Sequence, residues 1–389
     1  MSGPLDGLRV IELSDPLCAW AGKLLADLGA DVVVVEPPGG SPQRRFEPFL
    51  DDVPGPERSL WWWHYNTSKR GVVLDCTTAI GREQLASLAL GADVVLAAEP
   101  LDRSALTDDD DRLITVSLTA PDDSVDLTLL AEGGPVWMCG YDDHSIPPVR
   151  GGGNQGLHTA SHWAVISTLV ALMEREASGH GQHVEVDALA AANVTTEVGT
   201  YGWLACQSIP NRQTGRHAGE VPSMPTQLLC ADGRYVNAGI IARKPAEYTA
   251  ILDWLSDIGL RDEFELTAFL EMGAEGIEVN SRTLREDPVV LQVVMSVREA
   301  QEFVSKRLDA YEYFVSAQRR GITAGVVYSP DDLFDDPHLV ARGWPTEVEH
   351  PELGRSYTYA GAPYLFHHTP WRISARAPQL AEHQELLDG

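Results

Sequence analysis

Apolar residues in the first half of the chain fall in short unbroken runs, separated by stretches in which they recur at helical spacing. Leu8–Leu13 (LRVIEL) and Ala30–Glu36 (ADVVVVE) are two such runs, with the helix-patterned Ala21–Leu28 between them. A strand that is apolar at every position is covered on both faces, which is the condition of a parallel sheet flanked by helices. The pattern therefore predicts a parallel β-α-β unit. Val72–Asp75 and Ala92–Ala98 frame a further helix, Gly81–Leu90, and Leu113–Leu118 supplies one more buried strand. Asp126–Ala131 begins another helix, with Asp126 read as its N-cap. The most strongly patterned stretch runs from Pro147 to Asp187. There a loop bearing Gly151, Gly152, Gly153 and Gly156 opens onto a long helix. Trp163, Ile166, Leu169, Val170 and Met173 recur along it at three- and four-residue steps and leave Glu174 and Glu176 for solvent, so that stripe is predicted to face the core. The helix stops at Ser178–Gly181 and feeds a strand at Val184–Val186.

Beyond it, Ala188–Tyr201 reads as a helix of small residues suited to close packing. Residues 208–225 form a polar connector with glycine and proline, taken as a domain boundary. Gln227–Asn237 is a hairpin turning at Asp232-Gly233, and Pro245–Gly321 is mostly helical. Ile322–Tyr328 and the regions around Gly343–Val348 and Tyr357–Ala360 are short strands.

A length of 389 residues exceeds one ordinary core and implies two domains. With 44% hydrophobic and 22% charged residues the composition is that of a soluble globular protein. No apolar run reaches the roughly 18 residues a membrane span needs, and the N-terminus carries no export signal. Five cysteines (Cys18, Cys76, Cys139, Cys206, Cys230) lack paired spacing, which argues against a metal site or a disulfide scaffold and for the cytoplasm. The formal charge of −28 opposes binding to nucleic acid or to anionic lipid. An anionic small molecule would need local basic groups, for which Arg44, Arg45, Lys69, Arg70, Arg82 and Arg103 are the candidates. The turn after the first strand, SDPLCAWAG, has no G-x-G-x-x-G, so Glu36 reads as a strand-end residue rather than a ribose-binding acid. Trp61, Trp62, Trp63, His64 and Tyr65 form the densest aromatic cluster, explained by packing or by a face for an adenine or acyl group. No nucleophile elbow, H-E-x-x-H, phosphate loop or C-x-x-C occurs. His158, His162 and His180 flank the long helix and read first as polar packing residues.

Several blocks, in order from residue 4 to residue 383, are similar to the class III CoA-transferases. They are PLDGLRVIELS, LLADLGADVVVVEPPGG, NTSKRGVVLD with GREQL, GADVVLA, ALMEREASGHGQHVEVDAL, DDLFDDPHLVARGW, GAPYLF and APQLAEH. The family includes formyl-CoA, carnitine-CoA and benzylsuccinate-CoA transferases and the α-methylacyl-CoA racemases. The resemblance implies an α/β fold with a Rossmann-like large domain (1–207), a linker (208–225), a smaller α+β domain (226–328) and a C-terminal segment (329–389) that returns to the large domain. It also implies an interlocked dimer, acyl-CoA and a carboxylic acid as substrates, and no metal.

In the family's mechanism an aspartate on the loop before the long helix attacks the thioester, and CoA thiolate then converts the resulting anhydride to an enzyme thioester. Counted back without a gap, that position is Leu157, and a shift of one residue gives His158 as the candidate catalytic group. The racemases' acid and base are absent too, their positions falling near Val125 and on Leu157. The segments reading SDPLCAWAG, AAEPLDRSA and TAPDDSVD depart from the family pattern around the CoA pocket. Lys69, Arg70 and Arg103 remain as candidate phosphate contacts, with Gly151, Gly152 and Gly153 as the backbone cradle. The expectation is a CoA-transferase with a non-standard site. The alternatives are an inactive or regulatory chain pairing with an active paralogue, so a heterodimer rather than a homodimer, or a racemase-like enzyme.

Overall fold

The structure, a computed structural model, describes residues 3–101, 103–106, 111–219, 223–239, 242–280 and 283–388. Part of the connector read at 208–225, residues 220–222, lies outside them. The chain divides into two compact units, one of Met1–Trp137, Val149–Cys206 and Phe334–Gly389, the other of Met138–Pro148 and Gln207–Leu333.

The first unit is built on β1 (Arg9–Leu13), α1 (Pro16–Asp27), β2 (Asp31–Glu36), α2 (Leu60–Tyr65), β3 (Arg70–Val73), α3 (Ala79–Ala89), β4 (Val94–Ala97), α4 (Arg103–Leu106), β5 (Ile114–Thr119), α5 (Asp126–Glu132), α6 (Gln155–Ser178), β6 (His183–Asp187), α7 (Ala188–Asn193) and α8 (Glu197–Cys206). The six strands form one parallel sheet in the order β3-β2-β1-β4-β5-β6. Successive side chains alternate between faces. Val10, Val32, Val94 and Val116 join the core with α1 and α6, while Ile11, Val33, Val95 and Val72 join that with α3. This is the α/β, Rossmann-like arrangement expected, and its topological switch lies between β1 and β4.

Helix α1 begins at the SDPLCAWAG turn itself. Asp15 caps it by accepting from the Leu17 N–H at 2.8 Å, and Pro16 occupies the first turn. Helix α6 forms as predicted but turns the other way. Its buried face is Ala160, Ser161, Ala164, Val165, Thr168, Ala171 and Arg175. Trp163, Ile166, Val170 and Met173 are 40%, 50%, 58% and 74% exposed. Small residues let α6 lie close against α1, and Ser161 Oγ donates to the Leu17 carbonyl at 2.9 Å. The segment read as one helix over Ala188–Tyr201 is broken by a 3-10 turn at Val194–Thr196.

After the second unit the first resumes with a short helix at Pro337–Ala341 and the hairpin Pro345–His350 with Arg355–Ala360. The final segment then lies along the outer edge of β3. His383 N–H donates to the Gly71 carbonyl (3.0 Å), and Val73 N–H donates to Gln384 Oε1 (2.9 Å). The Ser68 N–H donates to the Ala375 carbonyl (2.9 Å).

The second unit holds a small hairpin (Asn211–Gln213 with Arg216–Gly219) and a three-stranded antiparallel sheet of Gln227–Leu229, Tyr235–Ala238 and Ala324–Val327. The Asp232-Gly233 turn is present, with Gly233 at φ +81°. Helices Pro245–Asp257, Thr267–Gly276, Pro288–Ser305 and Ala310–Arg319 pack Trp254, Leu255, Val293, Val297 and Tyr313 into its core. Among the described residues no helix is long and apolar enough to cross a membrane, and no group of side chains is placed to hold a metal ion.

Candidate functional site

Parallel α/β sheets bind ligands beyond the carboxyl ends of their strands at the switch point. At that place, beyond β1, β4 and β5, lies a cavity of about 570 Å³. Leu17, Phe46, Trp61, Leu129 and Leu157 give it apolar walls. Among the described residues its charges are Asp15, Asp122, Asp123 and Asp126 against the single cation Arg150.

Arg150 is committed. Its guanidinium donates to Asp126 Oδ2 and to the Gly153 carbonyl, each at 2.8 Å. Asp126 in turn accepts from the Gly156 N–H at 2.7 Å and from the Leu157 N–H at 3.4 Å. Asp126, read as the cap of its own helix, instead caps α6, thirty residues further on. It fills the anion site that an uncapped helix N-terminus offers. Gly156 makes this approach possible, since a Cβ there would stand 3.3 Å from Asp126 Oδ1. Gly151, Gly152 and Gly153 are exposed, and the Gly152 carbonyl accepts from Gln155 Nε2 at 3.1 Å. The loop is thus fastened through its carbonyls and through Arg150.

Leu157 lines the cavity, whereas His158, one residue on, packs behind its wall. The His158 ring stacks on Trp20 with centroids 4.5 Å apart, and Nε2 lies 2.8 Å from Tyr65 Oη. Asn154 Nδ2, at the cavity's edge, donates to the same hydroxyl at 2.9 Å. With Asn154 Nδ2 donating to it, the Tyr65 oxygen accepts from Asn154 and passes its own proton to His158 Nε2. In that pairing His158 is the neutral tautomer protonated on Nδ1. Burial, with His162 nearby, pushes the His158 pKa down to about 4. Trp20 Nε1 donates to His162 Nε2 at 3.2 Å, and burial lowers that pKa as well. His64 stacks on Trp20, and burial together with the Lys23 charge lowers its pKa to about 3.

The candidate phosphate contacts are dispersed. Lys69 is fully buried, bonding Glu12 (2.8 Å), the Ala19 carbonyl (3.0 Å) and Asn66 Oδ1 (2.9 Å). Its three protons are engaged, so its reading as a phosphate ligand gives way to one as an internal ion pair. Burial outweighs the attraction between the partners, raising Glu12 to about 7 and lowering Lys69. Arg70 pairs with Asp31 and Arg103 donates to the Gly181 carbonyl at 3.4 Å, and neither lines the cavity. Arg44 is buried against Trp62 with its guanidinium on Glu36, which places Glu36 inside the protein.

The side chains that sequence patterning passed over are Asn154, Tyr65 as a hydrogen-bonding group, and Asp126 as a cap in trans. Tyr65 and Asn154 stand 89 positions apart. The only local signal was the aromatic cluster of α2.

The family model described as CoA-transferase family III matches residues 5–384. The "Succinyl-CoA:(R)-benzylsuccinate CoA-transferase subunit BbsE" of Thauera aromatica is 30% identical, covering 100% of this chain and 94% of that protein. The "Succinyl-CoA:mesaconate CoA-transferase" of Haloarcula hispanica is 29% identical over 99% of this chain and 96% of its own. The crystal structure of a CaiB/BaiF family protein from Brucella suis shares the fold. Its TM-score is 0.77 at 24% identity, over 100% of this chain and 99% of that one. A family match along nearly the whole length, together with a relative 30% identical over the full chain, leaves one assignment: the chain belongs to CoA-transferase family III.

Proposed function

We propose that this chain serves the transfer of CoA between an acyl-CoA thioester and a free carboxylic acid, as one subunit of an assembly whose second, paralogous chain brings the carboxylate nucleophile. The carrying observation is the head of α6. Transfer through an enzyme-bound acyl group needs a free nucleophile at the thioester. Here the cavity wall presents Leu157 at the family's nucleophile position, and the carboxylate bonded to the head of α6, Asp126, is held by Arg150 and two backbone N–H groups. His158 is engaged with Tyr65 and Trp20 outside the cavity lining. The Thauera aromatica relative carries the word "subunit" in its name. The exposed apolar stripe on α6, with Tyr201, Trp203 and Leu204 exposed on α8, supports burial against another chain. Arg70 and Arg103 are left as the phosphate contacts of this reading. All five cysteines are free thiols, consistent with work in the cytoplasm.

The test is exchange of isotope-labelled acid into its own acyl-CoA, measured on the purified chain and on the assembly isolated from the source organism. The isolated chain is expected to be silent. The assembly exchanges label, and hydroxylamine trapping modifies a carboxylate of the companion chain alone. Exchange by the isolated chain that His158→Ala abolishes would replace this reading with a self-contained enzyme using His158.

A further inference from the structure

Asn154 lines the cavity with a carboxamide that is only partly used. Its Nδ2 faces Tyr65 Oη at 2.9 Å. Tyr65 Oη lies 2.8 Å from His158 Nε2, to which its proton goes when Nδ2 donates to the hydroxyl oxygen. The imidazole is kept neutral by burial and held flat against Trp20. The opposite pairing, with Asn154 Oδ1 accepting the Tyr65 proton, would require His158 to carry its own proton on Nε2. Among the described residues nothing else bonds it. With Nδ2 on Tyr65, the Asn154 Oδ1 and second N–H remain as an acceptor and a donor in the cavity wall.

The charges of the cavity select what such a pair reads. Asp15, Asp122 and Asp123 face a space whose single arginine is already bound to Asp126 and the Gly153 carbonyl. Phosphates are repelled there. An uncharged, flexible chain carrying amide groups matches both the apolar walls and the free carboxamide. Building on the CoA reading above, we infer that Asn154 hydrogen-bonds an amide of the pantetheine arm of the bound CoA thioester. Tyr65 and His158 are positioning residues that hold the Asn154 carboxamide for it. The adenosine phosphates lie outside this cavity. His158 thereby acts through Asn154 and not upon the thioester.

The test measures binding of acetyl-CoA and of the adenosine bisphosphate half of CoA by calorimetry, on the protein in the assembly in which it purifies. Asn154→Ala is expected to weaken acetyl-CoA about tenfold, the loss of one to two hydrogen bonds, and to leave the nucleotide half unchanged. Tyr65→Phe weakens acetyl-CoA by a smaller factor with the same selectivity. Nitrogen NMR of the wild-type protein should show His158 Nε2 unprotonated, with its resonance moving in Tyr65→Phe. Equal weakening of both ligands, or no weakening of either, overturns the assignment of Asn154. A proton on His158 Nε2 overturns the positioning role given to Tyr65 and His158. Failure of the wild-type assembly to bind acetyl-CoA at all is a separate result, which removes the CoA reading and this inference with it.

Discussion

His64 packs against Trp20 and Tyr65, and its imidazole is held neutral by burial, with a pKa near 3 in place of 6.5. In the unfolded chain the same group takes up a proton below about pH 6.5. The unfolded state therefore binds more protons between these values, and stability contributed by the neutral imidazole is present above about pH 6.5 and lost as the pH falls toward 3. His158, lowered to about 4, adds in the same direction. Glu12, raised to about 7, works oppositely over the upper part of this range, so the comparison must be made between variants. His64→Phe keeps an aromatic ring in the stack and removes the titration. Between about pH 7 and about pH 5 the wild type should lose about 2 kcal/mol more stability than this variant, as read from urea denaturation. Equal losses would exclude His64 as a source. At this scale little was legible in advance. His158 was identifiable as a residue beside a glycine loop, but its role depends on Tyr65, and no spacing rule links positions that meet only after α1, α2 and α6 have packed.

Helix α6 shows why an element can be read correctly and its inner face wrongly. Two stripes along it have helical spacing. One is made of Trp163, Ile166, Val170 and Met173, the other of Ala160, Ala164, Thr168 and Ala171. Hydrophobicity favours the first, whereas close approach to α1 requires the second, because packing density rewards fit more than side-chain bulk. The consequence is a matched pair of variants. Ala164→Leu should destabilise the fold by about 1–3 kcal/mol through overpacking, seen in denaturant unfolding. Met173→Glu combined with Ile166→Glu should change the chain's own stability by no more than about 0.5 kcal/mol per site. Light scattering after size-exclusion chromatography should then show that the double variant has lost its partner. An unchanged assembly mass would show that this stripe faces nothing.

For the whole molecule, the strand runs specified the parallel sheet because each buried strand announces itself by its own composition. The cavity at its switch point follows from topology, but its chemistry does not. Asp126 capping α6 and Asn154 meeting Tyr65 are products of assembly. Edge strands invite unwanted pairing unless covered, and here His383 and Gln384 cover β3. A chain ending at Trp371 should therefore expose that edge, together with Trp62, whose Nε1 donates to the Pro378 carbonyl at 3.0 Å. Static light scattering should report aggregation of the truncated protein at concentrations where the full chain stays dispersed.

That same closing segment has a consequence for biosynthesis. The ribosome makes β1 and β3 early, yet the residues that seal β3 and bond Arg44 and Trp62 emerge only after the whole second unit. The second unit, continuous from Gln207 to Leu333 apart from Met138–Pro148, has all its residues before that sealing segment is made. The first does not. Its sheet waits, one margin bare, while the second unit is made, and a chaperone that shields a nascent strand would find its client there.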